Sequence, residues 1–343
     1  MRSIWVVFFL EAMPLILLAA TRSYSQVSWS INTLGGYNFA SASRVIDKND
    51  LLLSFDGEFE YNYEQENREA SFLIRAKPEL YGIHNSLKTL KLKAKGNYFQ
   101  KEENFNWGIN LTRQHNIYDS KDINLYYDIF ILNAEASLFI IYNTPFTINL
   151  GYAYQTAKDA FEQNLDLLFL DSKLFTRFGY FKLGYGLYLE RFDVVYEQHK
   201  SFDYKNTNNG WRIGPQILLA YLRNWTVRFE YRFLIHDSPL TQSFSYDQWL
   251  RLLAGKFIFD NLSAFVLVDY YSRNYKLKVN AADILPLLYS PIDQENNLYL
   301  KVEYDLCEMF SVYIRSGYSK ENFFVNDLSY SGWTVLLGLS VGN

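Results

Sequence analysis

From Leu51 to Glu64 the chain reads LLLSFDGEFEYNYE, and it alternates strictly. Leu51, Leu53, Phe55, Gly57, Phe59, Tyr61 and Tyr63 are apolar or small, whereas Ser54, Asp56, Glu58, Glu60, Asn62 and Glu64 are polar. A period of two sustained this long specifies a β-strand with one wet and one greasy face. The greasy face is longer and more aromatic than a half-buried strand of a soluble sheet needs, and the pattern recurs down the chain. The stretch therefore reads as one unit of a membrane-spanning antiparallel up-and-down β-barrel whose polar face looks into the lumen.

Composition supports an all-β membrane protein over a helical one. The chain carries 29 Tyr, 27 Phe and 7 Trp, yet its mean hydropathy is only −0.16. Helical spans need about twenty consecutive apolar residues each, whereas alternation dilutes the hydrophobicity of a barrel. A formal charge of −4 and a pI near 5.7 exclude a nucleic-acid role, which demands a clustered basic surplus. With Cys307 alone there is no internal disulfide. Residues 1–25 read as a cleaved secretory signal peptide. Arg2 precedes the apolar run IWVVFFLEAMPLILLAA, and Ser23 and Ser25 stand before a cut at Gln26. The barrel then occupies 26–343 as one domain.

The alternation returns as about sixteen strands, with 14 to 16 compatible with the pattern: 27–40, 51–64, 69–82, 88–100, 105–115, 123–142, 145–155, 164–178, 181–192, 211–222, 225–236, 247–259, 262–272, 298–305, 310–319 and 333–341. The run LDLLFLDS at the start of the eighth has no clear alternation. Pro78, which cannot donate to a ladder, should mark an edge, an end or a bulge. Short connections, as at Gly179–Tyr180 and Asp260–Asn261, alternate with longer ones, as at 193–210 and 273–297. The short ones would be periplasmic turns and the long ones extracellular loops. Lys88, Arg113, Asp128, Asp166, Arg191 and Lys256 fall on the outward phase, toward strand ends where a charge can reach water.

On these residues the mature chain resembles the outer-membrane β-barrel proteins of Gram-negative bacteria. Its size is porin-like, and no plug domain of the kind found in TonB-dependent receptors precedes the strands. The final strand, Trp333, Val335, Leu337, Leu339 and Val341, fits the family, although the chain stops at Gly342 and Asn343 where such barrels commonly end on an aromatic residue. The resemblance implies location in the cell outer membrane among its lipids, and no cofactor. It leaves the oligomeric state undetermined.

The inward phase collects charge. Asp56, Glu58 and Glu60 should neighbour Arg75, Lys77 and Glu79, which should neighbour Lys91, Lys93 and Lys95; Arg228, Glu230, Arg232, Lys301, Glu303 and Arg315 extend the lining. One reading makes these the wall of a water-filled passage for small polar solutes. The other has them neutralise each other in a packed interior. A barrel of sixteen strands normally leaves an aqueous channel, which favours the first. The apolar run AADILPLLYSP gives loop 281–291 the character of a constriction or of a contact for an envelope partner in a secretion, polymer-export or attachment machine. A surface hydrolase is the third reading. His84, His115, His199 and His236 all map to the extracellular side, with His236 beside Asp237. Adjacent strand residues point to opposite faces, however, so that pair makes no dyad on a regular strand.

Overall fold

The computed structural model describes residues 24–42, 50–81, 87–119, 124–141, 144–158, 161–198, 204–278, 296–323 and 328–342. In these, sixteen antiparallel strands close into one barrel. In chain order they are β1 (Tyr24–Ala42), β2 (Asp50–Gln65), β3 (Arg68–Tyr81), β4 (Leu87–Lys101), β5 (Phe105–Asp119), β6 (Asn124–Ile141), β7 (Thr144–Lys158), β8 (Phe161–Phe178), β9 (Phe181–Gln198), β10 (Tyr204–Leu222), β11 (Thr226–Asp237), β12 (Ser245–Phe259), β13 (Leu262–Asn274), β14 (Asn296–Cys307), β15 (Phe310–Phe323) and β16 (Leu328–Gly342). Each strand pairs with its sequence neighbours, and β1 closes the ring: Ile31 faces Gly57 of β2 on one side and Val341 of β16 on the other. No sheet edge remains, so every strand finds backbone partners even where lipid surrounds it.

The period of two sets the faces. The odd residues of β2 are turned outward, with Leu53 and Phe55 exposed, while Leu52 and Ser54 are buried on the inside. On β9 the outward series runs Phe181, Leu183, Tyr185, Leu187 and Leu189 before changing to Arg191 and Asp193. About five outward apolar positions correspond to the 9–11 residues that cross a bilayer on a tilted strand. Strands β9 and β10 are 18 and 19 residues long, so the wall continues past this belt on the loop side. The connection 193–210 anticipated from the sequence is thus largely strand. Turns at the opposite end are tight. Gly179 holds φ of 58° in the Gly179–Tyr180 turn, a left-handed conformation that side chains with a Cβ disfavour.

Pro78 produces neither an edge nor a bulge. The β2–β3 ladder pairs Ser54 with Glu79 and Gly57 with Ala76 in one unbroken register, and the pairing lapses only between them, where Pro78 has no N–H to offer. On its other side β3 stays paired with β4, Pro78 opposite Leu90.

Inside the wall two apolar clusters form. Leu34, Leu52, Tyr313 and Leu336 pack together with Tyr81 against them, and Leu165, Phe192 and Val194 pack with Leu167. Burying such a side chain is worth about 1.5–3 kcal/mol. The second cluster explains why LDLLFLDS lacks alternation: Leu165 and Leu167 face an apolar part of the lumen while Leu168 and Leu170 face lipid.

Candidate functional site

The inward charges of β2, β3 and β4 stand side by side because the register places them so. Glu58 opposes Arg75, which opposes Lys93; Lys77 opposes Lys91; Leu73 separates Glu60 from Lys95. Arg75 donates through Nε to Asp56 Oδ1 at 2.7 Å, with a second bond from its terminal nitrogen to the other carboxylate oxygen, and lies 3.9 Å from Glu58. A planar guanidinium suits this two-pronged grip. Lys77 pairs with Glu79 at 2.6 Å, and that buried carboxylate also accepts from Tyr81 and Thr89, each at 3.2 Å. Lys93 and Lys95 carry no ion pair among the described residues.

On the adjoining arc, Lys301 of β14 pairs with Glu303 at 2.8 Å and lies 4.3 Å from the Tyr313 ring, while Arg315 of β15 sits over Tyr299 at 5.3 Å. Arg75, Lys77, Glu79, Lys91 and Arg315 converge on one cavity of about 220 Å³. Across the barrel, Arg228 pairs with Glu230, and Arg232 stacks on Tyr188 at 3.8 Å with Asp171 3.7 Å away. Trp249 lies beneath both Arg232 and Arg251, whose Nε donates to Asp269 at 3.0 Å. Every one of the fifteen charges assigned to the lumen from sequence thus lies on the inner face by register, in two groups on opposite arcs.

A third group was missed by the sequence reading. Arg212 of β10 is buried between Glu190 of β9 at 2.9 Å and Asp247 of β12 at 2.6 Å. Tyr188 donates to Glu190 at 2.7 Å, and Tyr275, just beyond β13, donates to Asp247 at 2.7 Å. Burial pushes the Tyr275 hydroxyl well above the ordinary phenol range, which keeps its proton available for that bond. Its ring stacks on His236 at 4.1 Å, and Phe192 stacks on the histidine at 5.0 Å. Around it the chain is pinned to the β11–β12 connection. Gln242 N donates to Lys276 O at 2.6 Å, Lys278 N donates to Leu240 O at 3.0 Å, and Thr241 bridges Leu277. The segment 275–278 is thereby fastened to the inner rim. Loop 281–291, His84, His199 and residues 1–23 lie outside the described residues.

The hydrolase arrangement finds no support at His236, which is buried inside while Asp237 is exposed. His115 Nδ1 does lie 2.6 Å from Asp128 Oδ1, on the outer face. Directly across from it on β4 stands Leu92, so among the described residues the ladder sets no nucleophile opposite the imidazole. Three other outward charges also have neighbours: Asp166 accepts from Tyr152, Lys256 sits 5.5 Å from the Trp225 ring, and Arg191 lies 3.8 Å from Asp193.

A closed wall of sixteen antiparallel strands, apolar where it faces outward and charged where it faces inward, is a membrane-spanning architecture. Among solved structures, the outer membrane channel DcaP of Acinetobacter baumannii matches it with a TM-score of 0.52 at 10% identity, over 94% of this chain and 98% of that one. The fold is that of a Gram-negative outer-membrane β-barrel. CdiB from the same organism matches at a TM-score of 0.48 and 9% identity, over 94% of this barrel and 61% of CdiB. The siderophore receptor PirA from Pseudomonas aeruginosa matches at 0.38 and 8%, over 94% and 81%. At such identities the likeness is one of fold. No protein-family model and no curated protein matches the sequence of this chain.

Proposed function

We propose that the barrel is a passive channel for small polar solutes through its charged lumen. One observation carries this reading: inward-facing charges retain contact with water. The Arg75 side chain is 42% exposed and that of Arg228 is 59% exposed, and they line opposite arcs of the inner wall. Arg75 stands in the middle of β3, so its exposure opens into the lumen, whereas Arg228, near the start of β11, is exposed at the turn-side mouth. Sixteen strands are wide enough for such a channel, and charged side chains around a passage select among the ions and polar molecules that enter. The buried Arg212 network and the pinned 275–278 segment narrow the loop-side mouth on one arc; on the β2–β4 arc Leu52, Ser54, Glu79 and Thr89 are buried near the loop ends of their strands, while Arg75 and Glu58, deeper in the wall, stay exposed.

Liposome swelling tests this. Vesicles holding the refolded barrel should swell in arabinose faster than in a trisaccharide, and vesicles holding unfolded chain should not swell. Swelling no faster than in protein-free vesicles, with a folded barrel shown by its heat-modifiable migration, would overturn the proposal.

A further inference from the structure

The cavity between the β2–β4 arc and the β14–β16 arc has a composition that a general polar passage does not require. Its lining brings together Arg75, Lys77, Lys91 and Arg315 with a single carboxylate, Glu79. Arg75 and Lys77 are engaged by Asp56 and Glu79, but Arg315 faces them from β15 with no carboxylate partner among the described residues. Lys93, opposite Arg75 on β4, adds a further cation at the same level. With Asp56 and Glu58 beside Arg75 counted too, five cations (Arg75, Lys77, Lys91, Lys93, Arg315) stand against three carboxylates (Asp56, Glu58, Glu79), an excess of two positive charges.

The donors also converge from different directions. Lys77 and Lys91 reach in from one arc and Arg315 from the other, while Ser319 and Thr334 contribute hydroxyl-bearing residues to the lining. A planar carboxylate is satisfied by one guanidinium fork, whereas a tetrahedral oxyanion uses donors spread around it. Gly317 leaves the wall of the alcove without a side chain where β15 runs closest to β14: a Cβ there would stand 2.5 Å from the Tyr299 Cβ and 2.2 Å from the Leu298 carbonyl oxygen. The space, about 220 Å³, fits a phosphate group with little attached to it.

We infer that this alcove is a binding subsite for small phosphate-bearing solutes, inorganic phosphate and short phosphate monoesters, on their way through the lumen. The inference deepens the channel reading and rests on it for solute access; the inner face of the wall excludes lipid headgroups as the source of the phosphate.

Isothermal titration of the detergent-folded barrel with inorganic phosphate, run beside phosphate uptake into vesicles, separates the two claims. Saturable binding should weaken at least tenfold in Arg315→Gln and in Lys91→Gln, recover in part in Arg315→Lys, and stay unchanged in Arg191→Gln on the outer face. Binding that is absent, or that is equal in all four variants, overturns the subsite while uptake leaves the channel standing. Binding with the expected pattern but no uptake of any solute keeps the subsite and overturns the channel.

Discussion

Replacing Arg212 with Met removes the cation that Glu190 and Asp247 share. All three side chains are buried, with no more than 5% of any of them exposed. Breaking a buried ion pair from one side costs about 3–5 kcal/mol, because the remaining charge is left without solvent or partner. Arg212→Met strands two carboxylates, so the loss belongs at the top of that range, about 5 kcal/mol. The triple variant Arg212→Met, Glu190→Gln, Asp247→Asn leaves neutral amides that Tyr188 and Tyr275 can still bond, and it should return to within about 2 kcal/mol of the parent. Urea unfolding of the barrel in lipid vesicles, followed by tryptophan fluorescence, measures both. A loss under about 1 kcal/mol for Arg212→Met is what a solvated pair would give. It would mean that lumen water reaches Arg212, and the reasoning that this arc is dry would fail.

Three further outcomes are expected. Tyr275→Phe keeps the stack on His236 but loses the bond to Asp247, worth about 1.5–3 kcal/mol with a charged acceptor; trypsin should then cut the folded barrel at Lys276 or Lys278, and resistance equal to the parent would show the segment is held otherwise. Leu187→Lys puts a charge in the middle of the outward apolar series of β9 and should cost about 2–4 kcal/mol in vesicle unfolding, whereas Arg191→Leu, beyond the belt, should cost little. Gly214→Ala places a Cβ 1.8 Å from the Phe233 carbonyl oxygen. That strand must shift to accept it, so the folded yield in vesicles should fall, and an unaltered yield would contradict the close approach of β10 and β11.

The strands were legible in the sequence, the eighth least clearly, because one face of each must meet lipid and an alternating pattern results. Strand ends were not legible. In β10 the wall continues above the belt through Thr207 and Asn209, which are polar like their neighbours and leave no period to read. The strand β8 was obscured for the opposite reason, its inner face being apolar where it meets Phe192 and Val194. The Arg212 network escaped because it depends on reach across strands: Asp247 lies two strands from Arg212, past His236, and Tyr275 comes from a connection. His236, expected on the solvated extracellular side, has its environment set by the rings of Phe192 and Tyr275, which sequence separation hides.

The most direct test of a water-filled lumen is the electrical conductance of single barrels in a planar lipid bilayer. The account predicts stable discrete steps in potassium chloride, with an anion preference that shrinks when Lys91, Lys93 and Lys95 are changed together to Gln. Folded barrels that insert yet pass no current would contradict it.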